Sequence, residues 1–137
     1  MQTPETPPLH VEPMRLRWGE MDMMQHLNNV AYFRYFEEAR IGWLRSAGLE
    51  GVAGEDGPVL GHITCRFLRP ALYPADVVVE LRLVKLGNAS FTITHTLRDA
   101  ADAAVVYAQG EATMVWVDGT SGRSAPVPEA IRRKLGA

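Results

Sequence analysis

A single segment of this chain is long and apolar enough to cover the face of a β-sheet, and no other feature constrains the fold as strongly. The segment spans residues 29–47, contains no proline and is followed by Gly48. Asn28 and Asn29 stand at its start, and both are good helix-capping residues. Apolar side chains occupy most of its circumference, which predicts a helix surrounded by protein.

The other patterned segments alternate between apolar and polar residues, as half-buried strands do. They cover residues 11–18, 59–68, 77–86, 91–97 and 104–117, with a turn at Gly87-Asn88 and a short helix over 128–135. The one long helix must cover the apolar face of any sheet that these strands form. We therefore predict an α+β fold in which a curved, antiparallel, five-stranded sheet wraps around one long central helix.

The length of 137 residues is enough for one domain that folds without disulfides. Early prolines predict a flexible tail over residues 1–10, followed by a single domain over 11–137. No apolar run approaches the roughly 20 residues of a membrane span, and a net charge of -2 does not favour nucleic acid. Cys65 stands alone, so the sequence predicts a cytoplasmic protein that binds neither membranes nor nucleic acid.

The sequence lacks the common patterns of metal sites, cofactor sites and serine nucleophiles. The histidines have no HxxxH spacing, the lone cysteine excludes CxxC, and no GxSxG, Walker or GxGxxG pattern occurs. Cys65 lies in a strand-like segment and is interpreted as a buried strand residue rather than a nucleophile. We therefore expect no metal and no cofactor.

Acidic and amide side chains concentrate just before the long helix. Glu20 and Asp22 alternate in an extended segment, and Asn28 and Asn29 follow at the helix start. A helix N-terminus presents unpaired N–H groups and partial positive charge, so it can polarise a carbonyl whose oxygen becomes anionic during a reaction. Asp22 can then act as a base or a nucleophile. The structural alternative for Asp22 is a carboxylate that caps a turn.

Five segments together carry a recognisable combination of residues. They are Trp18-Gly19-Glu20-Met21-Asp22, His26-Leu27-Asn28-Asn29, Glu37-Glu38-Ala39-Arg40, Phe67-Leu68-Arg69-Pro70-Ala71 and Gly87-Asn88-Ala89-Ser90-Phe91. In this combination the chain resembles the hotdog-fold acyl-CoA thioesterases of the 4-hydroxybenzoyl-CoA thioesterase family, over about residues 12–135. The resemblance implies a hotdog fold and hydrolysis of a thioester.

The resemblance also implies roles for the residues around the helix start. Asp22 takes the position of the essential carboxylate rather than Glu20, and the backbone N–H of Asn29 faces the thioester carbonyl. Independently of the resemblance, His26 lies four residues beyond Asp22, a spacing that favours a role in orienting Asp22 or polarising the carbonyl. The alternative is a histidine packed in a loop beneath the helix. Asn28 and Tyr32 are candidate substrate contacts. The HLNN sequence at 26–29 is similar to that of the long-chain branch, so a medium or long fatty acyl group is expected.

Positive or polar side chains near the substrate entrance would favour the phosphates of coenzyme A. The candidates are Arg66, Arg69, Lys85 and Arg98, with Ser90 in the turn before the strand at 91–97 as a polar contact. Each is also compatible with an ordinary solvated surface residue.

The sequence therefore predicts an acyl-CoA thioesterase with acyl-CoA as its substrate. Two other functions stay open, namely hydrolysis of acyl carrier protein thioesters and non-catalytic binding of acyl-CoA. The resemblance further implies a homodimer or homotetramer, with active sites at a dimer interface where the edge strand near residues 61–67 pairs with its symmetry mate.

Overall fold

The computed structural model describes residues 7–49 and 55–136. Its elements are β1 (His10–Arg15), a 3-10 turn (Trp18–Glu20), α1 (Asn29–Ser46), β2 (Gly57–Phe67), β3 (Asp76–Leu86), β4 (Ser90–Asp99), β5 (Val106–Val117) and α2 (Glu129–Lys134). The strands form one five-stranded antiparallel sheet in the order β1-β3-β4-β5-β2. Since α1 packs on one face of this curved sheet, the predicted α+β architecture is confirmed.

The predicted alternation of strand residues is confirmed most clearly in β4. Phe91, Ile93, His95 and Leu97 are buried, whereas the threonines between them are half-buried. Tyr35 and Phe36 of α1 belong to the same core. One side of the sheet therefore faces the helix, and the other carries the polar residues.

The approach of α1 to the sheet requires a glycine in β5. A Cβ at Gly110 would lie 2.7 Å from Cε2 of Phe36 and 2.5 Å from the carbonyl oxygen of Thr64. Both distances are shorter than real Cβ contacts. The absence of a side chain at this position lets the Phe36 ring settle onto the strand.

The helix differs from the prediction because only one of its sides is covered within the chain. Val30 is 74% exposed and Ile41 is 40% exposed. Arg40, a polar interruption in the sequence, is only 7% exposed. Within the described part of the chain the sheet covers one side of α1, and no element covers the outward side.

The ends of α1 follow capping chemistry. The N-cap is Asn28, whose Oδ1 accepts from the Val30 N–H at 2.9 Å, so Asn29 is the first helical residue rather than a cap. At the other end Gly48 has a φ of 85°, and its N–H donates to the Arg45 carbonyl. The predicted end at Gly48 is confirmed.

The first strand ends earlier than predicted, at Arg15 rather than at residue 18. The Arg17 N–H donates to the Tyr35 hydroxyl at 3.1 Å instead of to β3, so the chain leaves the sheet. Trp18 then begins the 3-10 turn and is 75% exposed. The strand begins at His10, one residue inside the predicted tail, and residues 1–6 of that tail lie outside the described residues.

Candidate functional site

The segment between the 3-10 turn and α1 is a tight loop organised by Asp22. Its Oδ1 accepts from the backbone N–H groups of Met24 at 2.8 Å and His26 at 3.1 Å. Its own N–H donates to the His26 carbonyl at 2.7 Å, and Gln25 has a φ of 64° within the turn. Asp22 therefore caps a turn with one oxygen. Oδ2 makes no hydrogen bond to any residue that the structure describes.

Backbone hydrogen bonds hold this loop against the rest of the domain. The Leu27 N–H donates to the Ala71 carbonyl, and the Asn28 N–H donates to the Glu20 carbonyl, both at 2.9 Å. His26 forms an isolated bridge with Leu72. The start of α1 is thus fixed beside the segment that follows β2.

Among the described residues, the first turn of α1 leaves one backbone N–H donor without an acceptor. Asn28 satisfies the Val30 N–H through its side chain and the Ala31 N–H through its carbonyl. The Asn29 N–H has no acceptor among the described residues. It therefore keeps the partial positive charge of an open helix N-terminus.

A cavity of about 230 Å³ opens beside this helix start. Five of the predicted residues line it: Asp22, His26, Asn29, Tyr32 and Arg69. Apolar residues from the loop and from the end of β2 complete the wall, namely Leu27, Phe67, Leu68 and Pro70. The predicted carboxylate, the helix N-terminus and a cation thus share one cavity.

Tyr32 forms the buried wall of the cavity. Its ring packs edge-on against Phe67, with 5.0 Å between ring centroids. Burial raises the pKa of its hydroxyl, an effect that the hydrogen bond to the Ala71 backbone partly opposes. The phenol is therefore neutral and remains a potential hydrogen-bond donor.

Five of the predicted substrate contacts lie elsewhere in the chain. Asn28 lines a separate groove that runs along α1. Arg66 lies on the opposite face of the sheet, in a polar depression that also contains Glu80 and Thr94. Lys85 and Ser90 flank the β3–β4 turn, at the end of the sheet away from the cavity. Arg98 also lies away from the cavity, and its Nε is 2.6 Å from Oε2 of Glu80.

Glu20 is held in a network of hydrogen bonds and ion pairs. Its Oε1 accepts from the Tyr35 hydroxyl at 2.5 Å and from Nε of Arg17 at 3.0 Å. Its Oε2 lies 4.0 Å from Nε of Arg34. Burial and the hydrogen bond to Glu20 raise the pKa of Tyr35 to about 12. Since both Glu20 oxygens have partners, Asp22 has the freer carboxylate.

Cys65 is half-buried in β2. Burial raises the pKa of its thiol to about 11. Because the thiolate is the nucleophilic form, Cys65 is a poor nucleophile near neutral pH. This agrees with its interpretation as a strand residue.

A buried polar pair beneath α1 was missed by the sequence analysis. Nη1 of Arg40 lies 3.1 Å from Nε2 of His95, and the two residues are 7% and 0% exposed. Burial, and then the charge of Arg40, lowers the pKa of His95 to about 3, so the imidazole is neutral. The available signal was helical periodicity, since positions 29, 33, 36 and 40 share one side of α1.

Within residues 7–49 and 55–136, no group of His, Cys, Asp or Glu side chains that could hold a metal ion occurs. No helix in those ranges has the length and apolar character needed to span a membrane.

Comparison with known proteins decides the family. The sequence profile of the thioesterase-like superfamily matches residues 16–135. The chain belongs to this family. Membership in this family confirms the predicted hotdog fold. It also confirms that the protein is a thioesterase, an enzyme that hydrolyses thioesters.

Several relatives of the thioesterase have similar size and structure. A Pseudomonas aeruginosa protein proposed to be a thioesterase is 41% identical, with a TM-score of 0.86, over 93% of this chain and 98% of that one. A Xanthomonas campestris protein proposed to be an acyl-CoA thioesterase is 40% identical, with a TM-score of 0.73, over 85% and 99%. An Aquifex aeolicus protein proposed to be an esterase is 30% identical over 124 residues, which are 88% of this chain and 93% of that one.

Proposed function

We propose that this thioesterase hydrolyses acyl-CoA thioesters of medium or long fatty acids to the free acid and coenzyme A. The observation that carries the proposal is the common cavity of Asp22 and Asn29, a free carboxylate oxygen and a free helix N–H. The acyl-CoA class is supported by the Xanthomonas campestris relative, which is proposed to be an acyl-CoA thioesterase.

Asp22 supplies the basic or nucleophilic oxygen. As a base, Oδ2 takes a proton from water while the water oxygen bonds to the thioester carbon, and the C–S bond then breaks as the proton passes to the thiolate. As a nucleophile, Oδ2 itself bonds to that carbon and expels the thiolate, and water cleaves the resulting anhydride. Both routes consume one water and release one acid and one thiol.

The start of α1 stabilises the oxygen that becomes negative. The unpaired Asn29 N–H donates to the developing oxyanion, and the helix dipole adds to this attraction. His26, half-buried on the cavity wall, orients the water or the carboxylate. Tyr32 bounds the site, and Arg69 attracts a phosphate of coenzyme A.

The protein works as a dimer or tetramer in this proposal. β2 lies at the edge of the sheet, and it exposes Val59 to 50%, Leu60 to 41% and Phe67 to 47%. A long, apolar edge strand readily pairs with another strand. Antiparallel pairing of two β2 strands across a two-fold axis covers this edge.

Such a dimer also gives a possible position at the substrate to predicted contacts that lie far from the cavity of their own chain. Antiparallel pairing places opposite ends of the two sheets side by side. The β3–β4 turn of one copy, with Lys85 and Ser90, then lies at the same end of the combined sheet as the cavity of the other copy. Those residues reach the coenzyme only across the interface.

Thiol release from a panel of thioesters tests the function. The panel contains acetyl, hexanoyl, octanoyl, decanoyl, palmitoyl and benzoyl-CoA, together with octanoyl acyl carrier protein. Faster hydrolysis of the longer alkyl-CoAs supports the proposal. Turnover of the carrier-protein thioester alone, or tight acyl-CoA binding without thiol release, overturns it.

A further inference from the structure

Among the residues that the structure describes, Arg40 is a buried cation without an anionic partner. Its Nη1 donates to neutral His95, and its Nε and Nη2 have no acceptor among the described residues. Exposed Glu37 acts on it through space only. Burying a charge costs free energy unless an opposite charge and hydrogen bonds compensate. The guanidinium therefore has unused capacity for an anion.

Arg40 also faces a groove. The groove has a volume of about 770 Å³ and extends along α1 from Asn28 at the helix start to Arg40, with Phe33, Leu60 and Ile63 on its wall. Among the described residues, Nδ1 of His95 is the only fully buried side-chain nitrogen or oxygen that lacks a partner. Nε and Nη2 of Arg40 therefore remain accessible, and the groove is their route to solvent.

The helix places this guanidinium in line with the proposed site of hydrolysis. Asn29, Phe33 and Arg40 are spaced by four and seven residues, so they share one side of α1. The rise of about 1.5 Å per residue puts the two ends of this stripe roughly 16 Å apart. The Arg40 side chain leans back towards the helix N-terminus, which shortens the span by up to about one turn.

We infer that Arg40 binds a carboxylate at the far end of the acyl chain, so that monothioesters of dicarboxylic acids are preferred substrates. The inference rests on the proposed function, because it needs the acyl chain to run from Asn29 along α1. The apolar wall holds the methylenes, and Nε and Nη2 give the planar pair of donors that matches a carboxylate. His95 accepts from Nη1 and fixes the plane of the guanidinium.

The acidic side chains along the groove do not take the place of the substrate carboxylate at Arg40. Glu38 and Glu20 bond to Arg17, at 2.7 Å and 3.0 Å. Glu37 is exposed and has no ion pair in the described part of the chain, so it opposes an incoming carboxylate only through solvent. Arg40 thus remains the buried cation on this wall.

If Arg40 had a purely structural role, its substitution would have a different effect on hydrolysis. Arg40 also ties α1 to β4 through His95, and loss of that tie would weaken the hydrolysis of every substrate alike. Recognition of a carboxylate changes the ratio between carboxylated and alkyl substrates. That ratio is the quantity to measure.

The test compares kcat/KM for dicarboxylic monothioesters from glutaryl to sebacoyl-CoA with alkyl-CoAs of equal carbon number. In the native enzyme, at least one carboxylated chain should exceed its alkyl match by about tenfold or more, as a charge-assisted hydrogen bond implies. R40M should reduce that ratio by about tenfold to a hundredfold. R40K should keep part of it, and R45M, at an exposed position on the same helix, should keep all of it.

Thioesters of N-acetylcysteamine identify the anion, because they lack the phosphates of coenzyme A. A carboxylate preference that persists with them supports the inference, and one that disappears shows that Arg40 acts on a phosphate instead. Hydrolysis of alkyl-CoAs without any carboxylate preference overturns the inference and leaves the proposed function intact. Hydrolysis of neither series overturns the proposed function. Absence of the preference in the native enzyme overturns the inference even if R40M does not fold.

Discussion

The backbone N–H of His26 donates to Oδ1 of Asp22 across 3.1 Å, and this bond closes the loop that leads into α1. An asparagine side chain also carries an acceptor oxygen at this position. The turn and the negative charge of Asp22 can therefore be separated by a single substitution.

Asp22→Asn should keep the loop and remove the base or nucleophile. We expect kcat to fall by about a hundredfold or more with little change in KM, since only the transition state loses an interaction. Steady-state thiol release measures both constants, and thermal denaturation confirms the fold.

Glu20→Gln is the matched control, because Glu20 bonds to Tyr35 and Arg17 in the network beside the loop. Its effect on kcat should be much smaller. Equal losses in the two variants, or full activity in Asp22→Asn, would contradict the assignment.

The N-cap assignment predicts different stability losses for substitutions at the adjacent Asn28 and Asn29. Asn28→Ala removes the acceptor for the Val30 N–H and should lower the free energy of unfolding by about 1 kcal/mol. Asn28→Asp should restore it. Asn29→Ala should have a smaller effect, because its contribution is a backbone N–H. Urea denaturation of the four proteins measures the differences, and equal losses at both positions would contradict the capping assignment.

Assembly through β2 predicts a dimer or larger species in sedimentation at micromolar concentration. Leu60→Glu places a charge on the exposed edge strand and should shift the protein towards monomer with loss of activity. Val84→Glu is the control, because Val84 is 52% exposed on β3. A monomer with full activity would contradict the shared-site proposal.

Acyl length should control specificity until the apolar channel is full. Each buried methylene contributes about 0.8 kcal/mol. A medium or long alkyl chain should therefore exceed acetyl-CoA in kcat/KM by at least about tenfold, equivalent to roughly 1.4 kcal/mol. A preference for acetyl-CoA would show that the channel is blocked, and Phe33→Ala should then lengthen the accepted chain.

His95 makes stability depend on pH. Its pKa is lowered to about 3 in the folded protein and is about 6.5 in an unfolded chain. Protons therefore favour the unfolded chain, and the free energy of unfolding should fall as the pH drops from about 6.5 towards 3, by up to about 1.4 kcal/mol per unit.

His95→Gln keeps an acceptor for Arg40 and removes the titration. Urea denaturation at about pH 7.5 and about pH 5 should show a larger loss for the native protein than for this variant. Equal losses would show that other groups cause the acid sensitivity.

Local chemistry determined much of this protein. The 29–47 helix, its end at Gly48, the alternating strands and the turn at Gly87-Asn88 follow from capping, periodicity and turn residues. The resemblance to the thioesterase family rested on short segments spread over about residues 12–135, among them those that contain Asp22, His26 and Asn29. Their roles in catalysis stay a prediction.

Tertiary structure decided what depends on contacts between distant segments. The Tyr35 hydroxyl takes the Arg17 N–H and ends β1 early, a bond between residues that no local pattern relates. Arg40 is buried because His95 on β4 meets α1. The helix comes this close to the sheet because Gly110 leaves room for the Phe36 ring. Sequence periodicity gives the side of a helix on which a residue lies. Only the packing of the sheet decides whether that side meets a buried histidine, an open groove or solvent.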